Sequence, residues 1–537
     1  MQARHLATWM LEQEARALLT RLDRVKPFAL QETMLPAAAL SPAAQTGIEQ
    51  YLMRGRRDLR GRIHRFIRWL QGPGAAAAAP EELQRQFTFL RLQFNLALSQ
   101  LDLFSDAITQ RSESETGVWL SGLDIAAQDA LALPGGYFDA PPIVCYLHRG
   151  LGGAIRRART RLPGGGDNPV AIIRIPRERM IGYGIASSLV HEVGHQAAAL
   201  LGLVESLRPA LQQRRHASRG PSARAWLLWE RWISEIVADV WSVARVGISS
   251  SLGLIGVVSL PRAFVFRLNA DDPHPFAWIR VKLSCAFGDA LYPNPQWRQL
   301  ANVWESFYPA RGLRPELTDA VAGLESTMPE LVRTVLGHRP LALRGQALGE
   351  VVRMPGRTPG RLLAHYRRWA ANPERLRVAP PTLAFAVLGQ ARASGLLTPE
   401  KENRLLGNLI TYWALRSTLD VNASMARLPL AAGVAAPLGI GGPQWPAGAR
   451  VPAGPQWRAG SVVPGSALIR PSAGRAGLPG PPRQRRAWPG QTGWSAAPYQ
   501  PRAQAARTGQ PAIPRQPRAP VRPIRPRALG TRARTSA

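Results

Sequence analysis

Apolar residues recur at helical spacing through most of the first 430 positions. They fall three or four apart in the stretches Leu6 to Leu22, Ile48 to Leu70 and Glu81 to Leu103. That spacing predicts three amphipathic helices, separated by Pro- and Ala-rich breaks such as 72–80. Two further stretches, 188–197 and 232–245, also read as helix, and the second contains neither Gly nor Pro. From Arg314 to about Val421 more helical segments are predicted, broken at Pro329, Pro340, Pro355, Pro359 and Pro380. Pro169-Val-Ala-Ile-Ile-Arg-Ile-Pro176 differs: a short apolar run between prolines predicts a strand, and Pro176 suits an edge or an end. Arg208 to Arg224 is basic and rich in turn formers, which predicts a solvated loop; rimming a cleft is its other reading.

Beyond about residue 430 the large aliphatics thin out and Pro, Gly, Ala and Arg take over. Such a segment buries too little apolar surface to offset ordering entropy, so disorder is expected. Gly442-Pro-Gln-Trp445 recurs as Gly454-Pro-Gln-Trp457, with Pro295-Gln-Trp297 earlier, as low complexity or as a short docking motif. The expected organisation is a helical N-terminal region at 1–115, a central core at 116–313, a helical region at 314–430 and a tail at 431–537.

Chemistry concentrates in Ser188-Leu-Val-His-Glu-Val-Gly-His-Gln-Ala197. Residues four apart on a helix share a face, so His191 and His195 can bind one zinc ion. Glu192 then projects beside the ion, where it can take a proton from zinc-bound water, whose pKa falls to about 7. A metzincin would need His and Gly where Leu201 and Ala198 stand, so that class is excluded. Glu235 can supply the third ligand, and Asp239, one turn on, can accept the free ring N–H of a ligating His. Gly184, Ser187, Ser188, Gly194, Ala198, Ala199 and Gly202 lie on the face shared by the two His, with Ala238 and Ser242 as matching small positions near Glu235. A face of small residues permits close helix approach. A metal-free Ala/Gly helix pair is the competing reading, but it strands four ionisable groups on an apolar seam.

The H-E-x-x-H plus E-x-x-A-D combination resembles the gluzincin metallopeptidases, most of all the CAAX prenyl protease and heat-shock membrane protease type. Val237 stands where that type commonly has a second Glu. His274-Pro275-Phe-Ala-Trp-Ile-Arg280 is similar to the downstream H-P-x4-R segment of the same type. The resemblance covers roughly residues 165 to 285. It implies a mainly α protein with a zincin-like metallopeptidase core, a small edge-strand sheet that aligns an extended polypeptide substrate, and flanking helical regions. It also makes His274 and Arg280 candidates for stabilising the oxyanion; the alternative is a Pro-started helix with a solvated Arg.

The net charge is +33, and 431–537 contribute 16 Arg with no Lys, Asp or Glu. An Arg-rich tail attracts polyanions, whether nucleic acid, anionic lipid or acidic protein; only Lys26, Lys282 and Lys401 interrupt the Arg excess, and codon bias would also produce it. Cys145 and Cys285 are too few and too far apart for a disulfide framework or a cysteine zinc site, so reduced thiols are expected. The N-terminus lacks a signal pattern and no stretch reaches eighteen apolar residues, which favours a cytoplasmic protein and departs from membrane-embedded relatives. Two functions remain open. One is zinc-dependent peptide hydrolysis with Glu192 as base; the other is a structural or polyanion-binding component that retains a zinc site.

Overall fold

The computed structural model describes residues 2–24, 34–149, 152–162, 165–177, 182–269 and 271–427. Within them the protein is mainly α, with one small three-stranded mixed sheet. The first three amphipathic stretches form the helices Gln2–Arg24, Pro42–Leu70 and Pro80–Thr109. Proline opens the second and third, because its φ is already helical and its missing N–H is one that a helix start leaves unpaired. Ser41 caps the second by accepting from the Ala44 N–H at 3.3 Å. Leu18, Leu22, Ile63, Phe66, Phe87 and Phe94 close a small core among these three helices.

A larger core runs from Leu120 in the helix Ser114–Leu131 to Trp413, and takes in Trp226, Trp229, Trp232 and Trp241. It receives the sheet, whose strands are β1 (Ile143–His148), β2 (Ala154–Arg156) and β3 (Ala171–Pro176), in the order β1-β3-β2. β1 runs parallel and β2 antiparallel to β3. The strand expected at 169–176 is therefore central, which corrects its reading as an edge. Five of its six residues are buried, and Pro176 is tolerated because it pairs with His148 at the very end of the ladder. The outer position next to it belongs to β2, whose three residues are too few to show alternation.

The stretch 208–224 is also corrected. It is not a loop but most of the helix Leu203–Ala217 and the start of Gly220–Val246. Leu203, Leu207 and Leu211, four apart, are buried against the core, and that burial outweighs Pro209 inside the helix. Pro329 likewise lies within the helix Pro315–Leu336, whereas Pro340, Pro355, Pro359 and Pro380 each stand at the start of an element. Pro295 opens another helix, Pro295–Phe307, with Trp297 buried and its Nε1 donating to Tyr292 O at 2.9 Å. Positions 428–537, with the tail and both Gly-Pro-Gln-Trp repeats, lie outside the described residues. Among the described residues no helix is long and apolar enough to cross a membrane. Cys145 and Cys285 are both free and buried.

Three helices carry the candidate site: Tyr183–Leu200 (the histidine helix), Gly220–Val246 (the carboxylate helix) and Ala277–Leu291 (the arginine helix). The small residues serve two seams. A Cβ at Gly194 would lie 2.8 Å from both Cα and O of Ala238, so the histidine and carboxylate helices meet at backbone contact. Ser187 instead faces the helix Ile248–Val258, where its Oγ donates to Ser250 O at 3.1 Å. Ser242 is drawn to that helix too, accepting from Ser250 Oγ at 2.8 Å. Gly194→Ala must push two backbones apart and is expected to destabilise the fold by about 1–3 kcal/mol. Urea denaturation would read this as a lower midpoint; an unchanged midpoint would mean the helices have room to separate.

Candidate metal centre

His191 and His195 lie one turn apart on the histidine helix, with ring centroids 4.8 Å apart at 84°. The carboxylate helix brings Glu235 between them. His191 Nε2 is 3.2 Å from Glu235 Oε2, and His195 Nε2 is 3.4 Å from Oε1. One ligand atom from each of the three residues falls within 4.8 Å of the others. A tetrahedral shell with bonds of about 2.0–2.1 Å has edges of about 3.4 Å, close to the two distances from imidazole to carboxylate.

Asp239 stands one turn beyond Glu235. Its Oδ1 is 2.8 Å from His191 Nδ1, though out of line with the ring N–H. The arginine helix aims Arg280 at the same carboxylate: Nε donates to Oδ2 at 2.7 Å and Nη2 to Oδ1 at 2.9 Å. The same Nη2 lies 3.4 Å from Glu235 Oε2 and 3.5 Å from His191 Nε2. The His274 side chain is 45% exposed, with Nε2 3.2 Å from Glu235 Oε2 and Nδ1 2.8 Å from Asp272 Oδ1.

Charge at this site is set by burial and by close neighbours. Burial works against a charged His191, but Asp239 and Glu235 outweigh it and raise its pKa to about 10. Burial and the neighbouring His191 lower His195 to about 4. Glu235 overcomes its own burial through His191 and Arg280 and drops to about 2, while Asp239 is held well below the usual carboxylate range by Arg280 and His191 despite burial. The acidic neighbours favour the protonated form of His191, so an ion that binds Nε2 competes with a proton.

Glu192 is buried beside the two His, and burial lifts its carboxyl to about 7. It touches the residue before β2: a Cβ at Gly153 would lie 2.6 Å from Glu192 Oε1. Only glycine leaves the carboxylate where it stands. Gly153→Ala should shift that flexible carboxylate at little cost in stability, keeping metal affinity while lowering any hydrolysis about tenfold or more. Equal rates for wild type and variant would separate Glu192 from the reacting centre.

The sequence did not single out Gly153, Asp272 or Gln196. Gln196 follows His195 directly, and its Oε1 accepts from Ala158 N at 2.8 Å, tying the stretch after β2 to the histidine helix. A lone buried amide on an apolar helix was the available signal for it; Gly153 had none, since its partner lies 39 positions away in the chain. Asp272, two residues before His274, was legible as a D-x-H spacing. The chain matches no protein-family model, no curated protein and no solved structure, so it stands as a mainly helical protein with a buried His-His-Glu group that can hold a metal ion.

Proposed function

We propose that the protein is a zinc-dependent peptidase of the gluzincin kind, with His191, His195 and Glu235 as ligands and Glu192 as general base. The observation that supports this most is the convergence of two imidazole Nε2 atoms on one carboxylate, with a buried glutamate next to them on the same helix. Two nitrogen donors and one carboxylate suit zinc, and three protein ligands leave a fourth position open. The local charge also suits a cation: Glu235 and Asp239 bring two negative charges and Arg280 one positive.

Zinc at this position supplies Lewis acidity at neutral pH. Everything else falls to the chain. Glu192 takes a proton from the attacking water and returns it to the leaving amine. Asp239 orients His191, and Arg280 positions Asp239 through two hydrogen bonds. His274, half exposed beside Glu235, and Arg280 are the candidates to donate to a developing oxyanion. The outer edge of β2, next to Gly153, aligns an extended polypeptide. The regions 1–115 and 314–430 flank this core, and the tail is a tether for polyanions.

A second reading is favoured by access: the His191 and His195 side chains are only 15% and 16% exposed. In it, a closed metal site supports the fold of an interaction protein whose basic tail makes the contacts. Metal analysis combined with a diverse peptide library separates the two. Wild type is expected to carry about one zinc per chain and to cleave peptides, and Glu235→Ala to lose the metal. Full zinc in Glu235→Ala would overturn the ligand assignment. Full zinc in a wild type that cleaves no peptide would overturn the peptidase reading and leave the structural one.

A further inference from the structure

A second site lies away from the metal centre, among the N-terminal helices. A cavity of about 700 Å³ opens between the helices Gln2–Arg24, Pro42–Leu70 and Pro80–Thr109 and the residues Arg161, Gly165, Gly166 and Asp167. Leu22, Leu52, Leu59 and Leu101 supply the apolar part of its wall. Arg54, Arg56, Arg62 and Arg161 ring it, against the two acidic residues Asp58 and Asp167. Arg56 is engaged by Asp23 at 3.4 Å, whereas Arg62 is held in place by a neutral group, donating from Nη1 to Gln93 Oε1 at 2.8 Å. Arg62 therefore keeps its charge uncompensated by that contact.

Gln100, another residue of the lining, is only 6% exposed. Its Oε1 accepts from Tyr51 O–H, whose oxygen is also 3.2 Å from Gly165 O, but its Nε2 has no hydrogen-bond partner among the described residues. A buried amide N–H without an acceptor is costly, and such groups are ordinarily satisfied. Leucine side chains and a surplus of arginine line the same cavity.

We propose that this cavity binds a small organic oxyanion, a carboxylate or phosphate ester carried on an apolar body. The apolar body lies against the leucines. The oxyanion meets Arg62 and Arg161, whose planar forks match carboxylate and phosphate oxygens. A cavity of this volume matches a small molecule. This site is independent of the metal.

The test is calorimetric titration of the full chain at about 150 mM salt, where diffuse attraction to exposed charge is screened. The probes are 1-naphthyl phosphate, 1-naphthoate and the neutral 1-naphthylmethanol. One saturable site per chain is expected for at least one of the two anions, with the neutral compound bound at least tenfold more weakly. Arg62→Gln and Arg161→Gln, both at exposed positions, should each weaken the anion about tenfold. Equal affinity for the neutral probe, undiminished anion binding in both Arg variants, or no saturable binding of either anion would each overturn the proposal.

Discussion

Glu192→Gln is expected to keep its zinc and to lose peptide hydrolysis by about 10²- to 10⁴-fold. The substitution leaves His191, His195 and Glu235, the group that could hold the ion, unchanged. It also changes almost no volume, so the contact with Gly153 that places the side chain survives. What disappears is the ability to accept a proton. Burial makes the comparison clean: a glutamine at this position avoids the desolvation that raises the Glu192 carboxyl to about 7, so the variant should be no less stable than the wild type. Metal content, melting temperature and turnover at saturating peptide are the three readings. Hydrolysis at the wild-type rate with zinc in place would remove Glu192 from the mechanism. Loss of zinc together with activity would show instead that Glu192 supports the ligands.

Asp124→Ala should destabilise the protein by about 3–5 kcal/mol, which is the usual cost of removing one partner from a buried ion pair. Arg111 is fully buried, and its Nη1 lies 3.0 Å from Asp124 Oδ2. The pair also grips β1. Asp124 Oδ1 accepts from Cys145 N at 2.7 Å, and Arg111 Nη2 donates to Cys145 O at 2.7 Å. Removing the carboxylate leaves a guanidinium without a counter-charge and a strand N–H without an acceptor. Burial raises the Asp124 carboxyl above its ordinary pKa in spite of Arg111, so desolvation offsets much of what the attraction contributes. Breaking the pair is costly even though forming it adds little. For that reason Arg111→Leu combined with Asp124→Leu should recover a large part of the loss. Denaturant midpoints at constant slope would measure both effects; a loss below about 1 kcal/mol in Asp124→Ala would mean that water reaches Arg111.

Several elements were legible because their cause is local. Helical spacing at Leu6 to Leu22, Ile48 to Leu70 and Glu81 to Leu103 led directly to three helices. The four-residue interval places His191 over His195, and Glu235 over Asp239, in any α-helix. Which glutamate faces the two His was readable only because two chemically suitable patterns stood about forty positions apart. Where spacing competed with a breaker residue, spacing prevailed, as the helices through Pro209 and Pro329 show. A proline removes one backbone hydrogen bond, while a buried leucine stripe contributes along the whole helix.

By itself, then, the sequence determined the three N-terminal helices, the H-E-x-x-H face and the small residues that permit close packing, since each depends on backbone periodicity within one stretch of chain. Only the tertiary structure decided that β3 is central and β2 outermost, that Arg280 is held by Asp239, and that Gly153 sets the position of Glu192. The same holds for the Arg111 and Asp124 clamp on β1 and for the unpaired amide of Gln100 in its arginine-ringed cavity. Those features join residues from separate elements, and no period within a single segment records which distant neighbour will satisfy a buried charge or donor. That choice is made when apolar faces pack, because packing fixes which polar groups lose water together and must pair with one another.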